Sequence, residues 1–211
     1  MRLRACGGRQ LSVGRGATDI DVAGLATPPA MRAIAESPRI RVFERFATAA
    51  ERNWLIECGR RSLRRALVYR RDAEGHQATD SRTNTEAEFT FGNASVLLAL
   101  VRDRISAATG QQFALHGDFQ ETNTPALAAE VNRRGQHIAT FLIYLNDEYE
   151  GGETVFPNVG LRHRGMRGDA LLFFNVDAAG RPDYNSVHAG QPTVRGEKWV
   201  FSQWIRGRPV G

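Results

Sequence analysis

Apolar residues along this chain change their spacing near its midpoint. Between Arg39 and Phe46 the residues Ile40, Val42, Phe43 and Phe46 read as a strand running into a core. Thr48-Ala-Ala-Glu51 has the form of a capping box, in which the Thr side chain accepts from the third helical amide and Glu51 reaches back. It predicts a helix carrying Trp54, Leu55, Ile56 and Cys58 and ending at Gly59. Leu63 to Arg70 predicts a second strand, and the polar stretch from Asp72 to Glu88 a loop. From Ser95 the residues Val96, Leu97, Leu100, Val101 and Ile105 recur at helical spacing and stop near Gly110. Beyond that point the pattern is of short runs: Ile138–Leu145, Thr154–Phe156, Ala170–Phe174, Val187-His188 and Trp199–Ile205. Turn clusters such as Asp147–Gly152 and Gly168-Asp169 separate them. Short strands between Gly, Pro and Asp turns, preceded by helices, predict an α+β chain that is mainly β, an antiparallel sandwich or barrel.

Residues 1–36 show no sustained period and are broken at Pro28-Pro29, so they read as a poorly ordered arm with a short helix after Pro29. Residues 37–211 are then one domain, and 42% hydrophobic with 24% charged residues suits one soluble core. No apolar run approaches the roughly 18 residues that a membrane span needs. No apolar segment follows the charged start, so a secretory signal is not expected. Cys6 and Cys58 form no disulfide framework and have no metal-ligand spacing; Cys58 reads as a small buried hydrophobe, and a reducing cytoplasm suits both. A net charge of +5 invites a nucleic-acid reading. The arginines, however, scatter from Arg2 to Arg208 without the interleaved aromatic ladder of a single-strand binder, which argues against that partner. Nothing about oligomeric state follows.

Two features stand out against this background. Of the 28 basic side chains counted as Lys+Arg, only Lys198 is a lysine. An ammonium on a flexible stem reaches into a narrow pocket where a planar guanidinium does not. His116-Gly117-Asp118 places an imidazole and a carboxylate on the same side of a strand. With a second imidazole from a distant strand, for which His188 is the candidate, the set becomes two histidines and one carboxylate. That facial triad leaves positions open and points to non-haem Fe(II) oxygenases. His76, His137 and His163 have no matching partner at ligand spacing and receive no ligand role. Glu153, beside Thr154, reads equally as a support of the site or as a turn carboxylate, and Trp199 and Trp204 as core aromatics on a strand.

From about residue 39 to 206 the chain resembles the prolyl 4-hydroxylase group of Fe(II)/2-oxoglutarate-dependent dioxygenases. The resemblance is carried by His116-Gly-Asp118, Ala139–Asn146, Glu150-Gly-Gly-Glu-Thr-Val-Phe-Pro157, Gly168–Phe173, Ser186-Val-His-Ala-Gly190 and Gly196-Glu-Lys-Trp199. It implies a double-stranded β-helix (jelly-roll) core with helices packed outside. It implies that His116, Asp118 and His188 bind iron, and that Lys198 and Thr154 hold the distal carboxylate of 2-oxoglutarate. Arg82, within Ser81-Arg-Thr-Asn84, resembles a segment that contacts peptide substrate. The implied activity is hydroxylation of a C–H bond in a peptidyl substrate, prolyl by default, or in a small molecule. Fe(II), 2-oxoglutarate and O2 are the implied cofactors, and ascorbate is admitted as an auxiliary reductant. Two other readings use the same residues: oxidative demethylation of nucleic acid, and a non-catalytic jelly-roll binding module with a vestigial metal site.

The chain departs from the group in one place. There, a strand carrying a tyrosine runs into the His-x-Asp motif; here Gly110-Gln-Gln-Phe113 preserves only its end. Either the strand is deleted or a segment is missing from the sequence. The exposed sheet edge that deletion would leave favours the second.

Overall fold

The computed structural model describes residues 27–65, 68–69, 76–77, 85–89, 96–109, 125, 129, 131–132 and 135–207. In chain order these form β1 (Met31–Glu36), β2 (Arg39–Phe43), α1 (Ala49–Arg60), β3 (Arg64–Arg65), β4 (Val68–Tyr69), β5 (His76–Gln77), β6 (Thr85–Glu86) and α2 (Val96–Thr109). There follow β7 (His137–Tyr144), β8 (Glu150–Gly151), β9 (Thr154–Phe156), β10 (Leu161–His163), β11 (Ala170–Phe174), β12 (Ala189–Gly190), β13 (Thr193–Arg195) and β14 (Val200–Arg206).

The principal sheet is antiparallel, in the order β1-β2-β11-β7-β14. Its central strands are buried on both faces, which is why Ala170–Phe174 reads as an unbroken apolar run. Successive side chains still divide between two cores. Phe43, Ala139, Phe141, Ile143, Leu172, Phe201 and Ile205 face outward against Leu55 of α1 and Leu98, Val101 and Ile105 of α2. Ile40, Val42, Tyr144, Leu171 and Phe173 face inward against Phe156 of β9. The inner face is covered by the three-stranded set β10-β9-β12, with the pair β13-β8 as a further small sheet. Two antiparallel layers around an inner core, with helices outside the larger layer, are the expected jelly-roll arrangement.

The capping box forms as predicted: the Glu51 amide donates to Thr48 Oγ1 (3.3 Å) and the Thr48 amide to Glu51 Oε2 (2.8 Å). Glu51 also ties the two helices together. Its carboxylate pairs with Arg104 of α2 at 2.6 Å, the two side chains being 3% and 5% exposed, and Arg104 donates further to the Phe46 carbonyl (2.6 Å).

Several expectations are corrected. The segment after Pro29 is a strand, not a helix, and it lies within the stretch 1–36 read as an arm. Here β1 pairs with β2 through a Ser37-Pro38 turn. Arg64–Arg65 and Val68–Tyr69 belong to separate two-stranded pairs, with β6 and β5, so 63–70 is no single strand and 72–88 is not wholly loop. Val187 and His188 precede β12 rather than forming a strand. Cys58 is half-buried on α1, not enclosed. The junction at Gly110, where a strand reads as deleted or omitted, lies outside the described residues. Among the described residues, no helix is long and apolar enough to cross a membrane.

Candidate active site

Lys198 sits on the turn between β13 and β14, and its position is built by contacts on both sides of it. Asn146, two residues past β7, donates through Nδ2 to the Glu197 carbonyl (2.7 Å) and accepts at Oδ1 from the Trp199 amide (2.8 Å). Gly196 has φ +78°, and a Cβ there would lie 2.5 Å from the Glu148 carbonyl, so only glycine lets the turn pass this close. The Glu150–Arg195 ion pair closes the same turn. Thus held, Lys198 Nζ donates to the Gly152 carbonyl (2.6 Å) and lies 5.4 Å from the centre of the Tyr144 ring.

Two buried hydroxyls join this ammonium. Thr154, at the start of β9, and Tyr144, at the end of β7, are 2% and 0% exposed, and their oxygens are 3.1 Å apart. Burial raises the Tyr144 phenol well above the ordinary tyrosine value against the opposing pull of the Thr154 bond, so it remains a neutral O–H donor. Burial pushes the Lys198 ammonium below its ordinary value, while Glu153 pulls it back up. Among the described residues no carboxylate pairs with Lys198; Glu153 instead lies 3.7 Å from Arg162. An ammonium has three N–H groups and the two hydroxyls share one bond between them, so donors are left for a further acceptor. Gly190 stands opposite Thr154 across β12 and β9, and a Cβ on it would meet nothing within 4 Å. One cation, spare O–H and N–H donors and adjoining open space together suit a carboxylate.

His188 follows the short turn Tyr184–Ser186, where the Asp183 side chain accepts from the Asn185 amide. Its Nδ1 is 3.0 Å from the Ser186 carbonyl, which can only accept, so Nδ1 carries the proton and Nε2 the lone pair. The ring packs against Phe173 (4.5 Å between centroids) and Phe156 (5.7 Å) of the inner core. An imidazole oriented through its other nitrogen by a carbonyl is the usual preparation for a metal ligand.

Of the residues singled out from sequence, the structure links Lys198 to Thr154 through Tyr144, and seats His188 against Phe156 and Phe173 of the inner core. His116, Asp118 and Arg82 lie outside the described residues. Trp199 and Trp204 are half-buried, Trp199 packing at the edge of the outer core. Three contributors were missed. Tyr144 and Asn146 lie within the motif Ala139–Asn146, but alternation alone shows a core aromatic and a turn asparagine. His163, set aside for want of a ligand partner, is paired directly opposite Thr154 on β10.

Comparison with known proteins agrees with this geometry. Residues 103–206 match the 2OG-Fe(II) oxygenase superfamily. Probable prolyl 4-hydroxylase 9 of Arabidopsis thaliana is 31% identical over 204 residues, covering 80% of this chain and 69% of the relative. Prolyl 4-hydroxylase 2 of the same plant is 28% identical over 219 residues, covering 86% of this chain and 71% of the relative. Since 86% of 211 residues is about 181, roughly 38 of those 219 aligned positions face gaps in this chain, so the relative is longer within the shared region. Among solved structures, a viral collagen prolyl hydroxylase from Paramecium bursaria Chlorella virus-1, in a 2OG complex, superposes with a TM-score of 0.50 at 18% identity. That superposition covers 83% of this chain and 99% of the other, and supports the jelly-roll fold. The relatives favour neither the nucleic-acid nor the non-catalytic reading. The chain belongs to the prolyl 4-hydroxylase family of the 2OG-Fe(II) oxygenase superfamily, and is an Fe(II)- and 2-oxoglutarate-dependent hydroxylating dioxygenase.

Proposed function

We propose that the enzyme hydroxylates prolyl residues of a peptide substrate. In this reading His116, Asp118 and His188 hold Fe(II), and Lys198, Thr154 and Tyr144 hold the distal carboxylate of 2-oxoglutarate. The observation that carries the cosubstrate assignment is the half-buried Lys198 ammonium, 5.4 Å from the ring of Tyr144, whose hydroxyl meets that of Thr154, with no carboxylate partner among the described residues. A partly desolvated cation with no carboxylate paired to it is stabilised when a dicarboxylate docks against it. The relatives named prolyl 4-hydroxylase supply the substrate class.

When bound, Fe(II) and 2-oxoglutarate supply the oxidising chemistry: O2 is consumed, 2-oxoglutarate loses CO2 to become succinate, and one oxygen atom replaces the hydrogen of a substrate C–H bond by hydroxyl. The chain's own residues orient and shield. Lys198 neutralises the distal carboxylate, and the neutral Tyr144 phenol and Thr154 hydroxyl share in hydrogen-bonding it. The Ser186 carbonyl would hold the His188 ring with its Nε2 lone pair available to ligate Fe(II). Phe156 and Phe173 exclude water from that side of the imidazole. Arg82 is assigned to the substrate peptide.

The test is incubation with Fe(II), 2-oxoglutarate and a panel of proline-containing peptides, with succinate and peptide mass measured together. The expected result is one oxygen added at a prolyl ring for each succinate formed. Succinate formed while every prolyl peptide stays unmodified would remove the substrate assignment.

A further inference from the structure

The inner wall carries a titratable group that the reading above does not use. His163 is the cross-strand partner of Thr154, and directly opposed residues of an antiparallel pair place their side chains on one face about 4.5–5.5 Å apart at Cβ. The row across the small sheet is therefore His163, Thr154, Gly190. The imidazole lies 5.7 Å from the Tyr144 ring, whose other neighbour is Lys198. Its Nε2 is buried and has no hydrogen-bond partner among the described residues. A buried polar atom without a partner is rare and costs stability unless something occupies the space it faces. The ring also lines an open cleft of about 560 Å³, so it can exchange protons with solvent while Nε2 stays inside.

From these placements we propose that His163 is a titratable positioning residue of the 2-oxoglutarate anchor, taking up a proton when the distal carboxylate docks beside Lys198. The inference rests on the proposed role of Lys198 and Thr154 and extends it. The charged and titratable groups around His163 are Arg32 of β1, Glu44 and Arg45 after β2, Asp147 after β7, Arg164 and Arg167 after β10, Asp169 before β11, Lys198 before β14 and the Tyr144 phenol. Burial holds the free imidazole below its ordinary value, Arg32 and Lys198 act in the same sense, and Asp169 opposes them. A carboxylate arriving next to Lys198 cancels one of those positive charges and favours the imidazolium. The sign follows: the bound-state pKa lies above the free-state value, so binding takes up protons between the two. Affinity is greatest at the acid end of that window and falls as pH rises through the bound-state value. One linked proton limits the fall to about tenfold in Kd per pH unit.

The experiment is calorimetric titration of the Fe(II)-loaded protein with 2-oxoglutarate under argon, from pH 5.5 to 8.5, in pairs of buffers with different ionisation heats. No turnover is needed. The wild-type protein should take up a fraction of a proton per ligand, and Kd should rise about tenfold across the range. His163→Gln keeps a polar side chain of similar length without a titrating ring; it should bind with no proton uptake and a flat pH profile. Absence of uptake in the wild type overturns the proposal without any variant, and undiminished uptake in His163→Gln overturns it equally. Lys198→Ala separates the two readings. If binding requires Lys198 but ignores His163, only this inference fails; if binding is indifferent to Lys198, the anchor itself is wrong.

Discussion

Replacing Asn146 by alanine tests whether the cosubstrate anchor is held from a distance. Asn146 touches neither Lys198 Nζ nor the two hydroxyls, but its side chain grips the backbone on both sides of Lys198. Alanine removes two hydrogen bonds, each worth about 0.5–1.5 kcal/mol net, or roughly 1–3 kcal/mol together. The neighbouring Leu145 amide still donates to the Trp199 carbonyl (2.9 Å), so β14 stays paired with β7. The loss should therefore fall on the turn that aims Lys198. At about 1.4 kcal/mol per factor of ten, KM for 2-oxoglutarate should rise by roughly 5- to 140-fold. The lower half of that range is expected, because the Gly152 carbonyl still receives the ammonium. The kcat at saturating 2-oxoglutarate should change little, since the anchor contributes to binding alone. Asn146→Asp keeps the acceptor for the Trp199 amide and loses the donor to Glu197, and should fall between wild type and alanine. Steady-state succinate release, with KM and kcat separated, is the assay. An unchanged KM alongside a lowered melting temperature would show that the two bonds serve stability only, and the reasoning would fail.

Three further outcomes are expected. Glu51→Ala leaves the Arg104 guanidinium buried without its partner and should destabilise the fold by about 3–5 kcal/mol, measured by denaturant unfolding. Although burial pushes the Glu51 carboxyl up, hydrogen bonds from Arg104 and the Thr48 amide hold it below its ordinary value. Its contribution is thus complete above the unfolded-state pKa of about 4.3 and lost as pH falls through the folded value, so Glu51→Gln should show a shallower acid loss of stability than wild type. His188→Ala should abolish both iron retention and iron-dependent succinate release; persistent iron-dependent turnover would refute the ligand assignment. Gly196→Ala forces a positive φ and a Cβ 2.5 Å from the Glu148 carbonyl, and should cost more than about 1 kcal/mol while raising KM for 2-oxoglutarate. A variant equal to wild type in both would show that the turn can relax.

Local chemistry made much of the scaffold legible. The capping box at Thr48 and Glu51 is a contact between residues three apart, so its sequence form is nearly its structure. Ala170–Phe174 was readable because a strand buried on both faces needs an unbroken apolar run. The motifs around His188 and Lys198 indicated iron and 2-oxoglutarate before any distance was known. By contrast β1 was not readable as a strand: four of its six residues are exposed, and it is defined by pairing with β2 rather than by a pattern of its own.

The sequence by itself determined which residue types the chemistry needs and where the strands that bear them run. Only the tertiary structure decided which of them meet. Asn146 reaches Glu197 across 51 residues, and Lys198 reaches the Gly152 carbonyl across 46. The row His163, Thr154, Gly190 exists only through the register of three short strands. Register is set by side-chain burial summed over whole sheets, and no short stretch of sequence carries it. For that reason His163 looked like an isolated histidine along the chain and stands opposite Thr154, beside the proposed cosubstrate anchor, in the fold.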